Sequence, residues 1–296
     1  MRRAGIVIAT LAIPVAVVLA LAFGLAACGD DGTAEPTPTE TVTVTATPSA
    51  SPTVDTSPVA STTVSLYFLR GETLGVAHRA VPDTGAPATA AMNALLGRPN
   101  AREKAAGLGT AIPLGTKLNG LTIEDGVARV DLSGAFASGG GSLSMRARVA
   151  QVVYTLTQFS TVRAVEFLVD GELVVAIGGE GIAVDGPQRR SDWADLLPAI
   201  FVETPAVGDT VRSPLTARGT AMAFEATFVL EVLDKSGDVI AKKVVMATVG
   251  APERGRFAAR IPFSAVEGRI VLYAYVESMA DGSRLNEVRI PLRTRP

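Results

Sequence analysis

Apolar residues fall into four textures along the chain. Between Ala4 and Ala27 they form one uncharged run behind Arg2 and Arg3. From Gly29 to about Thr62 they thin out among Thr, Ser and Pro, with Pro36, Pro38, Pro48, Pro52 and Pro58 recurring. Proline fixes φ and removes an amide donor, so neither helix nor sheet propagates through that tract. Too little apolar surface is present to offset the entropy of ordering it. It is expected to be a disordered spacer with a root-mean-square reach on the order of 30 Å.

From residue 63 the pattern becomes mixed. Val64, Leu66 and Phe68 alternate with Ser65, Tyr67 and Leu69, which predicts a strand. Arg70-Gly71-Glu72 turns the chain into a second strand, Thr73 to Val81. Pro87 suits the first turn of a helix carrying Ala91, Leu95 and Leu96, closed by Gly97 and Pro99. A hairpin follows, Leu121 to Ser133 around Asp125-Gly126. Beyond Gly139-Gly140-Gly141, residues Met145, Val149, Val152, Leu156 and Phe159 recur at helical steps. Val165, Phe167 and Val169 then predict a strand, turned by Asp170-Gly171 into Leu173 to Ile177. This mixture predicts a small α+β domain over 63–180, with two helices on one sheet face.

Residues 181–197 read as a linker with a short helix from Arg190, capped by Ser191 or Asp192 and ended by Pro198. Over 198–296 the pattern is all strand. Seven strands are expected: at Ile200, Pro214 to Gly219, Thr227 to Leu233, Val239 to Thr248, Phe257 to Ile261, Arg269 to Glu277 and Glu287 to Leu292. Regular turn signals between them predict a β-sandwich held by apolar packing alone, since no cysteine lies in it.

The single cysteine, Cys28, follows Leu25-Ala26-Ala27 at the end of the apolar run. A basic start, an apolar stretch and small residues before the break are the features of a secretory signal. The four residues resemble the lipobox of bacterial lipoproteins. That resemblance implies a signal peptide over 1–27, lipid attachment at Cys28, and a tether over 28–62. The competing reading is a retained transmembrane anchor, because the run approaches the ~20 residues that span a bilayer. A buried core cysteine is disfavoured by the Gly, Asp and disordered tract that follow it. The expected location is therefore the extracytoplasmic face of the cell membrane.

Two further resemblances follow from the residues. Ser65-Leu66-Tyr67-Phe68, Leu95-Leu96-Gly97-Arg98-Pro99, the hairpin around Asp125-Gly126, Leu156-Thr157-Gln158-Phe159 and Val169-Asp170-Gly171 together resemble the GerMN domain of sporulation and germination proteins. Arg98 intervenes where that family usually reads Gly-Pro. Pro198 to Pro205, Val211 to Leu215, Gly219, Glu225-Ala226 and the turn Asp234 to Gly237 resemble the immunoglobulin-like domain associated with spore-germination proteins. The resemblance implies an envelope-facing binding or assembly role, with no catalytic residues to carry over.

Composition narrows the chemistry. Lys and Arg number 27 against 29 Asp and Glu, a formal charge of −2, and loss of Arg2 and Arg3 would take it to −4. That is no nucleic-acid profile. One cysteine gives no disulfide framework and no cysteine metal site. His78, the only histidine, lies mid-strand and reads as a partly exposed strand residue rather than a base or a ligand. Glu124, Asp125 and Asp131 read as turn chemistry on a solvated hairpin. The Gly139 to Gly141 loop reads as a flexible connector, since it lacks the Lys-Ser/Thr of a phosphate loop. Trp193 is expected in interdomain packing rather than at a partner surface. Arg189-Arg190 is too short for a basic patch.

No catalytic residue, cofactor or metal is expected. The expected partners are the membrane, through the anchor, and an envelope protein or peptidoglycan, with no nucleic acid. The alternatives are an envelope hydrolase acting on peptidoglycan and a small-ligand-binding lipoprotein. The Ala- and Arg-rich texture suits a high-GC actinobacterium.

Overall fold

Strand β1 (Ser61–Arg70) and strand β2 (Thr73–Pro82) pair antiparallel over ten positions, turning at Gly71, whose φ is 62°. The computed structural model describes residues 60–179, 181–264 and 267–295. Cys28, the expected signal 1–27 and the expected tether up to residue 59 lie outside these described residues. β1 begins two residues before the expected boundary at 63, so Ser61 and Thr62 are already strand.

Helix α1 (Pro87–Leu96) carries Pro at its first turn and buries Ala88, Ala91, Met92 and Leu95. Arg98 follows with φ 65°, the left-handed step that commonly stops a helix. Helix α2 (Ala101–Ala105) and strand β3 (Leu108–Gly109) were not legible in the sequence. α2 is a single turn closed by a capping box between Asn100 and Glu103. Strands β4 (Leu118–Glu124) and β5 (Val127–Leu132) form the expected hairpin, with Asp125 at φ 50° and Gly126 at φ 83°. Helix α3 (Ser142–Leu156) leads into β6 (Ala164–Val169), which pairs parallel to β5. Short strands β7 (Glu172–Leu173), β8 (Ala176–Ile177) and β9 (Ile182–Ala183) finish the domain.

The strands form two main sheets rather than the expected one, ordered β2-β1-β3 and β4-β5-β6-β7. The reason lies along the free edge of β1. β3 takes only Leu69 and Arg70, and side chains of and just beyond α3 take the backbone groups of Ser65 and Tyr67. Gln158 accepts from the Ser65 amide at 2.7 Å and donates to the Ser65 carbonyl at 2.7 Å. Gln151 donates to the Tyr67 carbonyl at 3.0 Å, and Thr155 Oγ1 accepts from the Tyr67 amide at 3.3 Å. With Ser65 and Tyr67 satisfied by side chains and Leu69 and Arg70 by β3, this stretch of β1 offers no edge for β4 to join. This also explains why Gln151 and Thr155 are buried.

The linker contains a 3-10 helix, Arg190–Leu196, with the Asp192 carboxylate accepting from the Arg189 amide at 2.7 Å. Beyond it come β10 (Ile200–Thr204), β11 (Thr210–Val211), β12 (Leu215–Ala221), β13 (Thr227–Leu233), β14 (Val239–Met246), β15 (Gly255–Ile261), β16 (Gly268–Glu277) and β17 (Arg284–Thr294). Two sheets, β10-β12-β15 and β11-β17-β16-β13-β14, face one another as a sandwich. Phe228, Leu230, Val232, Ile270 and Leu272 fill it from one side and Ala217, Phe257 and Ala259 from the other. Eight strands replace the expected seven, because β11 adds a two-residue parallel pairing to β17.

Candidate functional site

The two domains meet along a seam built by β1, α3, the linker and β10. At its centre the Tyr67 hydroxyl donates to Glu203 Oε1 at 2.6 Å. Arg190 donates to the same oxygen at 2.9 Å and to the Tyr67 oxygen at 3.0 Å. Its remaining donors reach Thr157 Oγ1 at 2.8 Å and the Tyr154 carbonyl at 3.1 Å, while Tyr154 donates to the Arg190 carbonyl at 3.0 Å. The guanidinium lies 4.8 Å from the Tyr154 ring centre and 5.1 Å from that of Tyr67. Phe201 closes the cluster against both tyrosines.

Burial pushes the Tyr154 phenol up to about 12, with Arg190 pulling the other way. Tyr67 is raised further by the same cause. Burial lowers the Arg190 guanidinium, but Tyr67 and Glu203 outweigh it and leave its pKa raised. The arrangement therefore holds a neutral phenol between a cation and a carboxylate that satisfy each other. It ties the two domains to each other.

Three further contacts extend the seam. His78 Nδ1 lies 2.8 Å from Asp209 Oδ2, which also accepts from the Ala206 amide at 2.9 Å. Arg70 donates to the Arg289 carbonyl at 2.7 Å, and the Val207 amide reaches the Val76 carbonyl at 3.3 Å. Beside them opens a mostly apolar recess of about 160 Å³, floored by Leu74, Val76, Phe201 and Ile290. A second recess of about 170 Å³ lies between Tyr154, Glu203 and Arg254, and burial lowers the Arg254 guanidinium.

The outer face of the five-stranded sheet carries another buried charge. Glu231 is 2% exposed, accepts from the Tyr275 hydroxyl at 2.8 Å and pairs with Arg284 at 3.2 Å. Arg284 lies over the rings of Tyr273 and Tyr275, and Arg289 over Tyr273.

The residues singled out in the sequence are dispersed. His78 is half-buried in the seam, tied to Asp209. Glu124 approaches Arg129 at 3.9 Å, Asp125 sits in the turn, and Asp131 accepts from the Gly171 amide at 3.0 Å, so the hairpin carboxylates have separate partners and do not converge. Trp193 is buried, packing the linker helix with Arg146 5.9 Å above its ring. The Gly139 to Gly141 loop differs from the expected flexible connector. Buried Arg148 clamps it through the carbonyls of Phe136 at 2.6 Å, Ser138 at 2.9 Å and Gly139 at 2.8 Å. Arg190 and Arg148 were missed because an arginine's role depends on partners distant in sequence. No group of three or more His, Cys, Asp or Glu able to hold a metal occurs among the described residues.

Residues 65–175 match the family model described as Germane, sporulation and spore germination. Residues 199–283 match Gmad2, the immunoglobulin-like domain of bacterial spore germination. Among solved structures, a candidate lipoprotein from Clostridium perfringens is 22% identical, covering 47% of this chain and 95% of its own, with a TM-score of 0.34. The first GerMN domain of the sporulation protein GerM from Bacillus subtilis is 22% identical, covering 44% and 99%, with a TM-score of 0.38. The tandem GerMN domains of that protein are 17% identical, covering 70% of this chain and 64% of theirs, with a TM-score of 0.40. A search of curated proteins finds no match.

Proposed function

We propose, from the premise that this chain carries a Germane domain followed by a Gmad2 immunoglobulin-like domain, that it is a lipid-anchored binding and assembly module of the cell envelope without a catalytic step of its own. The observation that carries the reading is the Tyr67–Arg190–Glu203 seam. It spends the reactive groups between the domains on holding them together, as a presenting scaffold requires and a catalytic cleft does not. The lipobox-like Leu25-Ala26-Ala27-Cys28 supplies the anchor in this reading, and the Thr/Pro-rich tract after it supplies the spacing. No helix among the described residues is long and apolar enough to cross a membrane. The partner is an envelope protein or peptidoglycan. The process is sporulation, germination or a general envelope function that uses the same domains.

Crosslinking in intact cells, followed by identification of the captured species, tests the binding role; an envelope component is the expected catch. Zymography of the purified chain on peptidoglycan tests the hydrolase alternative. A lytic band abolished by one carboxylate substitution would overturn the non-catalytic reading. The anchor is tested by Cys28→Ser, which is expected to move the processed chain from the membrane to the soluble fraction. Retention of the processed variant on the membrane would remove the lipid from the reading.

A further inference from the structure

Where α2 meets the end of β17, two recesses of about 230 and 360 Å³ adjoin and share Arg269 and Arg293 in their walls. Arg102 lines one and Arg295 the other. Arg102 reaches across the domain boundary over Gly208, with its Cδ 3.0 Å from where a Cβ there would sit. None of these four arginines makes an ion pair or a side-chain hydrogen bond among the described residues. Arg79, Arg129, Arg146, Arg190 and Arg284 each have a carboxylate. No acidic residue lines either recess.

Arg269 and Arg293 also stand directly opposite one another across β16 and β17. Like charges in that position are destabilising. The chain as a whole is slightly acidic, so the cluster is no by-product of a basic composition. A repulsive pair kept without a counter-charge, exposed where two recesses adjoin, points to a counter-charge that arrives with a ligand.

We infer that this groove binds a linear polyanion bearing phosphodiester groups. Guanidinium forks match phosphate oxygens two at a time. Arginines spread along two joined recesses suit repeated charges better than a single ion. The walls between them are small, at Ala105, Gly208 and Gly268, and leave room for a thin chain. A planar lipid surface offers the same headgroup chemistry, and the vesicle arm of the test below separates it from a chain. The inference rests on the binding reading above and names the chemistry of one partner.

The test places the full chain in phosphatidylcholine nanodiscs and titrates fluorescent poly(glycerol phosphate). Binding is expected to weaken with salt at a log–log slope on the order of −3, about 0.7–0.9 for each of four neutralised phosphates. Arg269→Gln with Arg293→Gln should weaken binding at least about tenfold, the loss of two charge-assisted contacts, and roughly halve the slope. Its melting temperature should stay level or rise as the cross-strand repulsion goes. Arg218→Gln with Arg256→Gln removes the same charge from the outer face of the three-stranded sheet and should leave binding within about threefold. Equal weakening by both pairs overturns the groove. Absence of binding overturns the ligand class, and binding to phosphatidylglycerol vesicles in place of the polymer overturns the choice of a chain over a membrane. If crosslinking still captures an envelope partner in any of these cases, the broader reading stands and only this inference falls.

Discussion

Tyr154 and Tyr67 show what burial does to single groups at the seam. Both phenols titrate higher in the folded protein than the ordinary 10.0, Tyr154 at about 12. The folded state thus holds their protons more tightly than the unfolded chain. Stability that is fully present below pH 10 is therefore lost as pH rises from 10 through the folded values. Thermal melts across that range should show a falling midpoint, and Tyr154→Phe should shallow the fall. An unchanged slope would assign the alkaline loss to other groups. These residues were not legible as a site. Tyr67 sat in a strand pattern and Arg190 in a dipeptide too short to weigh, and they lie 123 positions apart. Sequence periodicity reports which face a side chain occupies, but not which distant polar group it meets there. His78 illustrates the same limit, since its strand position could be read and its tie to Asp209 could not.

At the scale of elements, alternation and helical spacing carried most of the fold. β1, β2, α1, the β4–β5 hairpin, α3 and β6 lie where their apolar patterns put them. What escaped were elements too short to have a period, α2, β3, β9 and β11, and the break of the expected strand Leu173 to Ile177 into β7 and β8. The division into two sheets escaped as well, because it depends on Gln151, Thr155 and Gln158, polar residues of and just beyond α3 that satisfy a strand edge. Gly219 marks a comparable close approach in the sandwich. A Cβ there would fall 1.9 Å from the Phe201 carbonyl oxygen, so β10 and β12 would have to part. Gly219→Ala should destabilise the chain by about 1–3 kcal/mol or more, read as a lower denaturant midpoint with an unchanged slope. A change under about 0.5 kcal/mol, the range of an ordinary surface substitution, would mean that the strands separate freely.

For the whole molecule, the linker matters more than its length suggests. Gln188 pairs with Val165 through both backbone groups, at 2.7 and 2.9 Å, Trp193 packs inside, and Arg190 bonds to residues of both domains. The segment joins the domains as a shared part of their packing. The full chain should therefore melt in one cooperative transition by calorimetry. Arg190→Met leaves Tyr67 and Glu203 without their cation and should cost about 1.5–3 kcal/mol, the range for hydrogen bonds to a charged group. It should also split or broaden the melt. A single sharp transition at the original temperature would show that the apolar part of the seam suffices.

The place of β1 has a mechanical consequence. Any tension entering from residues before Ser61 reaches β1 first. That strand is laddered to β2 along all ten of its residues, and the side chains of Gln151, Thr155 and Gln158 grip its other edge. A pull along the strand axis loads these bonds side by side in shear instead of peeling them one after another. A body held by its leading end is thus gripped at an element suited to bearing load, with both domains in series behind it.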